Sequence, residues 1–340
     1  MNLIKKTKGV SNLAASIANK SSAPSPIYMQ IEPTNLCNLD CIMCLRKERN
    51  LKNQTLSLSD FKKIIDTFPS LALIQLSGLG EPLLNQNFED MVIYAKAKGI
   101  EVETTSNMTI CSKGRAKKIV ESGLDRVFIS IDSVVPEIYK KIRGVDLELP
   151  KNAATAISDW KKEFKSSTPK IIINYVVMKE NIDGLKEVVD FASKIGADVN
   201  FKKISIAKKE NEDREVDDYY EKVSEAEEHG KKLGVKIIRT AKLRPKKGFY
   251  CYRVWFGAFI DAGGNLLPCC EFYSSPCLGN ILQTGKEPWN GKDFKEFRRW
   301  VRNKGKKESF SNETRATCAK CNLVFNDTVR KIDPLKFIRH

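Results

Sequence analysis

Apolar residues gather in short runs at 27–31, 72–77, 100–105, 126–131, 171–177 and 197–204, each of strand length. Between the runs the period lengthens. Stretches at 58–68, 87–98, 113–122, 151–165 and 183–195 read as helices with one apolar face, and 216–233 follows the last run. Ser57-Leu58-Ser59-Asp60 ahead of Phe61, Ile64, Ile65 and Phe68 has the form of a capped helix start. Gly99, Gly123 and Gly196 stand where a helix must stop before the next strand. Six strand–helix units in succession predict a parallel sheet with right-handed crossovers, an α/β fold of the partial (β/α)6 barrel type.

The alternation fails near residue 240. Lys242-Leu243-Arg244-Pro245-Lys246-Lys247-Gly248 reads as a basic linker. Beyond it, 255–260 and 265–268 flank Asp261-Ala262-Gly263-Gly264 as a small hairpin, and Phe294, Phe297, Trp300 and Val301 mark a short amphipathic helix. The pattern divides the chain into a basic arm at 1–26, expected outside the core, and a barrel at 27–240. A small cysteine-rich α+β domain at 241–330 and a basic tail at 331–340 complete it. No apolar run approaches the roughly 18 residues of a spanning helix. No apolar stretch of the secretory kind follows Met1-Asn2-Leu3-Ile4-Lys5-Lys6, so the expected setting is the cytoplasm.

The 340 residues carry a formal charge of +16, of which +11 falls on residues 241–340. Ten cysteines against two histidines is the more informative ratio. His340 is the last residue and His229 lies in an acidic helical stretch, so histidine chemistry has little to work with. Disulfides are a poor default where no export signal is seen, and clustered cysteines then point to metal or to redox work.

The first cluster lies in Glu32-Pro33-Thr34-Asn35-Leu36-Cys37-Asn38-Leu39-Asp40-Cys41-Ile42-Met43-Cys44, directly after the first strand. In a parallel barrel this is the end where chemistry is done. Three thiolates at C-x3-C-x2-C spacing on a [4Fe–4S] cube would leave one iron for a ligand that is not protein. Here the chain resembles the radical S-adenosylmethionine (SAM) superfamily, over about residues 27–325. The resemblance implies that Cys37, Cys41 and Cys44 hold a cluster whose open iron binds the amino and carboxylate groups of SAM. One electron would then cleave SAM to methionine and a 5′-deoxyadenosyl radical.

Further segments carry the same likeness. Ser77-Gly78-Leu79-Gly80-Glu81-Pro82 is similar to the family's Gly-Glu motif, which receives the methionine ammonium, so Gly78, Gly80 and Glu81 become cofactor contacts. By the same resemblance Ser130, Asp132 and Arg143 line the ribose and carboxylate of SAM. Ser106 and Asn107, with Thr105, end the third strand beside it. Met43 replaces the aromatic residue usual before the last motif cysteine, which leaves main-chain contact to adenine and removes stacking.

Cys251, Cys269, Cys318 and Cys321 form the second constellation. The unit C-x12-G-x4-C, running from Cys251 through Gly264 to Cys269 and followed far downstream by C-x2-C, resembles the SPASM and shortened twitch appendages of that superfamily. It implies one auxiliary [4Fe–4S] cluster, since no later cysteine continues the full pattern. A four-cysteine zinc site would have the same layout. Cys270 competes with Cys269 as ligand. Cys270 and Cys277 are also candidate hydrogen-atom donors to a substrate radical, and with Cys111 they otherwise read as small buried residues.

The expected activity is redox chemistry on a small anionic or sugar-like substrate, with dehydrogenation placed first. Epimerisation or peptide modification is the alternative, and a flavodoxin- or ferredoxin-like protein is the implied electron donor. The basic run Arg298-Arg299-Trp300-Val301-Arg302-Asn303-Lys304-Gly305-Lys306-Lys307 allows a rival of another class, a zinc-dependent nucleic-acid-binding protein. That rival leaves the first cysteine loop unexplained.

Overall fold

The computed structural model describes residues 11–12, 14–15, 18, 20–46, 51–205, 209–240, 251, 253–272, 276–303, 310 and 318. Each apolar run becomes a strand: β1 (Tyr28–Ile31), β2 (Leu73–Leu76), β3 (Glu101–Ser106), β4 (Arg126–Ser130), β5 (Lys170–Val177) and β6 (Asp198–Lys203). The helices are α1 (Leu58–Thr67), α2 (Phe88–Ala97), α3 (Lys113–Glu121), α4 (Pro136–Arg143), α5 (Glu148–Glu163), α6 (Leu185–Ile195) and α7 (Tyr219–Leu233). Ser57 caps α1 by accepting from the Asp60 N–H, and Gly196 ends α6 at φ 65°.

Neighbouring strands from β1 to β6 pair in parallel, and β7 (Ile237–Arg239) continues the series beyond β6. Met29, Ile31, Ile74, Leu76, Val102, Val127 and Ile129 face one way and join Phe61, Ile64, Met91 and Ile119 of α1, α2 and α3 in the core. The other face is polar. Tyr28 donates to Gln75 at 2.9 Å, Arg126 to Glu103 at 2.9 Å and Asn200 to Asn174 at 2.9 Å. A barrel filled for stability carries layers of branched aliphatic residues on this face. This one has a hydrogen-bonded lining instead.

Three features depart from the sequence-based expectation. Helix α4 was not anticipated, because its eight residues are too few for a clear period, although Pro136 at its start and left-handed Gly144 at its end do bound it. The three-residue β7 was also missed. The expected hairpin forms from β8 (Gly257–Ile260) and β9 (Leu266–Leu267), yet β8 also pairs in parallel with β1. The sheet order is therefore β7-β6-β5-β4-β3-β2-β1-β8-β9, an open barrel whose sheet continues into the cysteine-rich region.

The described part of the amino-terminal arm docks instead of standing clear. Asn12 donates to the carbonyl of Trp255 at 2.8 Å, and Trp289 donates to that of Pro24 at 2.7 Å. Ala23 and Asn290 exchange two hydrogen bonds. The partners lie in α8 (Arg253–Phe256) and just before α10 (Lys292–Arg302); α9 (Ile281–Thr284) lies between these two helices. The expected linker at 242–247 and tail at 331–340 lie outside the described residues. No helix among the described residues is long and apolar enough to cross a membrane.

Strand β8 approaches β1 so closely that a Cβ on Gly257 would stand 2.2 Å from the carbonyl oxygen of Tyr28. Gly257→Ala should therefore cost about 1–3 kcal/mol by overpacking. A thermal melt that matches the native protein would show that the two strands can part at no cost.

Candidate active site at the barrel mouth

Cys37, Cys41 and Cys44 lie half-buried, and free of disulfides, on the loop leaving β1. A returning segment straps this loop down. Asn35 donates to the Lys52 carbonyl at 2.7 Å and accepts from the Gln54 N–H at 2.8 Å, while Asn85 donates to the carbonyls of Pro33 and Leu56. On the far side the Ile42 N–H donates to the carbonyl of Ile142 in α4. Met43 packs with Ile142, Met178 and Ile204, and its carbonyl accepts from Asn211 at 3.2 Å. The unanticipated helix thus forms one wall of the cysteine loop.

The turn after β2 is pressed against the start of the loop. A Cβ on Gly78 would stand 2.1 Å from Glu32 Oε1, and one on Gly80 would stand 2.2 Å from the Thr34 carbonyl oxygen and 2.4 Å from that of Leu36. Glycine is required here by close approach to the start of the cysteine loop, where the motif implied close approach to a ligand. Glu32 accepts from the Leu79 N–H at 2.8 Å and from the Ala262 N–H at 3.3 Å. Burial pushes its carboxyl above the usual carboxylate range, against those donors.

Glu81 is 2% exposed. Its Oε1 accepts from Ser106 Oγ at 2.6 Å and from the Leu83 N–H at 3.1 Å, and its Oε2 from the Asn107 N–H at 2.7 Å. Ser106 and Asn107 are thus brought to Glu81. Their contacts fix the end of β3, and Asn107 Nδ2 reaches Asn38 of the cysteine loop at 3.1 Å. Burial raises the Glu81 carboxyl despite the three donors.

Asp132 and Arg143 form a buried pair, with Nε 2.5 Å from Oδ2. Asp132 also accepts from the Val176 N–H at 2.7 Å. The pair aims Nη1 of Arg143 at Cys41 Sγ, 3.4 Å away. Desolvation raises the Cys41 thiol and the guanidinium opposes it. A cation held beside this sulfur lowers the cost of the thiolate that iron requires. Ser130 is buried at the end of β4, where its carbonyl accepts from the Tyr139 hydroxyl at 3.4 Å.

An open cavity of about 250 Å³ lies beside the loop; Met43, Leu79, Val176 and Ile204 line it together with Lys202, Lys203 and, from the cysteine-rich region, Glu271. In that region the half-buried Arg253 donates to Tyr28 Oη at 3.0 Å and lies in the field of Cys251, Cys269 and Cys270. Cys318 is buried in the same core, and Cys321 lies outside the described residues. Cys269 and Cys270 are both within electrostatic reach of Arg253, and Cys270 also of Lys202. Cys277 is exposed and outside the cavity lining. Cys111 is a buried thiol pushed up to about 12 by desolvation, as a core residue should be. Among the described residues no three His, Cys, Asp or Glu side chains could share a single metal ion. A cubane differs in presenting its irons at separate corners.

Glu32, Lys202 and Arg253 were not singled out from sequence. Glu32 stood inside the quoted cysteine segment, an acid directly after an apolar strand. Lys202 and Arg253 carry no local signal.

Comparison with known proteins agrees with this geometry. Residues 31–192 match the model of the radical SAM superfamily, and residues 251–322 match that of the SPASM iron–sulfur cluster-binding domain. A cofactor-modifying protein of tungsten-containing aldehyde ferredoxin oxidoreductase, from Pyrococcus furiosus, is 30% identical over 50% of this chain and 49% of its own. The chain thus spans about half the length of that relative. A probable GTP 3′,8-cyclase from Methanocaldococcus jannaschii is 28% identical over 74% of this chain and 84% of its own. In fold, the chain is similar to Streptococcus suis SuiB bound to SAM. The TM-score is 0.66, with 16% identity over 92% of this chain and 72% of that one.

Gly80→Ala would force the backbone at Thr34 and Leu36 to move. The expected result is a loss of about 1–3 kcal/mol together with poorer iron uptake at the first cluster, read by thermal melts and iron analysis. Native iron content in the variant would contradict the close approach. Glu81 gives a pH dependence. Its raised carboxyl holds a proton in the folded state where the unfolded chain has lost it, so its stabilising contribution is complete below the ordinary carboxylate range. That contribution is lost as pH rises through the raised value. The unfolding free energy of the native protein minus that of Glu81→Gln should therefore fall from acid pH toward neutrality, and a rise would reverse the assignment.

Proposed function

Because the chain belongs to the radical SAM superfamily and carries a SPASM iron–sulfur domain, we propose that it dehydrogenates a small polar substrate held between those two parts. Cys37, Cys41 and Cys44 hold a [4Fe–4S] cluster that binds SAM, and Cys251, Cys269, Cys318 and Cys321 hold an auxiliary one. When bound, SAM on its cluster would supply a radical that takes one hydrogen atom, and the auxiliary cluster would accept the second electron as the substrate radical gives up a proton to water, which together make a two-electron oxidation.

The observation that carries this reading is the convergence of the cysteine loop, the Gly78–Gly80 turn and Arg143 at the mouth of one barrel. Arg143 keeps N–H groups beyond those given to Asp132 and Cys41, and these suit the carboxylate of SAM. The glycines let the turn present its carbonyls to the ammonium at short range. Glu81 acts through backbone, since its carboxylate is committed to Ser106, Leu83 and Asn107. Met43, Leu79, Val176 and Ile204 give the cavity beside the cysteine loop an apolar side. The small cavity and the polar barrel lining favour a compact polar substrate over a peptide. A flavodoxin- or ferredoxin-like donor supplies electrons, and the reducing cytoplasm suits free thiols.

Anaerobic reconstitution should give about eight irons per chain, falling to about four in the Cys37→Ala/Cys41→Ala/Cys44→Ala variant. Dithionite-driven SAM cleavage should be lost with them. Zinc in place of iron, or cleavage that survives the triple substitution, would overturn the proposal.

A further inference from the structure

The turn after β2 is held by alternate N–H groups, all drawn to the segment that runs from β1 into the cysteine loop. Ser77 donates to the Ile31 carbonyl at 3.1 Å, Leu79 to Glu32 Oε1 at 2.8 Å and Glu81 to the Leu36 carbonyl at 2.7 Å. Two of these acceptors are main chain. The middle one is the carboxyl group of Glu32, which is 2% exposed and also accepts from the Ala262 N–H at 3.3 Å. A carboxyl group is costly to bury, and here one N–H at each oxygen offsets that cost.

The peptide bonds of this turn are trans, and a planar trans unit points its carbonyl opposite to its N–H. With the Leu79 N–H drawn to Glu32, the Gly78 carbonyl faces away from that segment. With the Glu81 N–H drawn to Leu36, the Gly80 carbonyl does the same. Among the described residues nothing donates to the carbonyls of Gly78, Leu79 or Gly80. The flanking carbonyls are committed, Ser77 to Gln30 Nε2 at 3.0 Å and Glu81 to the Leu84 N–H at 3.0 Å. Gly78, Leu79 and Gly80 are only half-buried, and Leu79 lines the open cavity beside the cysteine loop. Two free acceptors, each aimed by a bond on its far side, suit a group that carries two N–H donors.

We propose that Glu32 is a positioning residue for the amino group of SAM. It sets the direction of the Gly78 carbonyl, and through Ala262 it makes the affinity for SAM depend on the seating of the SPASM hairpin. The proposal rests on the reading above and deepens it. If the hairpin moves off, one buried oxygen loses its donor, and the carboxyl no longer has a fixed place from which to hold Leu79.

The test measures SAM binding to the anaerobically reconstituted full chain by calorimetry, against the desamino analogue in which hydrogen replaces the amino group. Glu32→Met fills a similar space without an acceptor. At native iron content it should bind SAM about tenfold more weakly and the analogue as the native chain does. Unweakened SAM, or an equal loss for SAM and analogue, would overturn the role. Amide hydrogen exchange on the native chain needs no variant. At ten times its dissociation constant, SAM should slow exchange at Leu79 and Ala262 by about tenfold. Gly264, whose N–H goes to the Asp261 carbonyl at 3.0 Å in the same hairpin, should not change. Protection of Leu79 without Ala262, or of the whole hairpin alike, would overturn the link. A native chain that takes up iron but binds no SAM fails the enzyme reading and this inference with it. Native binding and cleavage with an indifferent Glu32→Met fails this inference alone.

Discussion

One buried carboxylate ties the mouth of this barrel together. Glu32 receives hydrogen bonds from the Leu79 and Ala262 N–H groups, which belong to opposite flanks of β1. Burying a carboxylate is costly unless its oxygens are occupied, so both partners must stay where they are. Leu79 sits between the two glycines of the turn, and Ala262 sits in the hairpin between β8 and β9. The cysteine loop begins at the next residue. Its position is therefore coupled to elements on both sides, and a side chain at Gly78 would collide with the same carboxylate. A glycine in one element is dictated by an acid in another.

The six principal strands were legible because each is a short apolar run between breakers, and they lie within two residues of the expected bounds at their starts. The cysteine loop was legible because its chemistry is contiguous. What escaped depends on geometry beyond the local window. Residues 257–260 have the same apolar look whether they stand in a separate hairpin or against β1, and only the register with Tyr28–Ile31 decides it. Helix α4 is short, and its contact with the loop runs through Ile142. Lys202 occupies one alternate position on a strand whose other face is core, and nothing nearby in sequence marks which face borders a cavity.

The carboxy-terminal region rests on aromatic packing around a cation. Arg298 is fully buried, lies 4.0 Å from the Phe294 ring centroid and 4.5 Å from that of Trp289, and donates to the Val254 carbonyl at 2.9 Å. Desolvation lowers this guanidinium to about 9. The ring faces stabilise it in part, and the carbonyl of Ser21 brings the arm to the same group. Part of the charge that first suggested a nucleic-acid surface is spent inside the protein.

The parallel pairing of β1 with β8 has a consequence for synthesis. The strand leading into the first cysteine loop has one edge covered by β2 and the other by residues more than two hundred positions later. A nascent chain that has made every other barrel strand still presents a bare strand edge, an invitation to mispairing. Glu32 meanwhile waits for its second partner at Ala262. On the ribosome, the loop with the first three thiols would reach its final shape only after most of the protein had emerged. Cluster insertion would then follow translation, not accompany it.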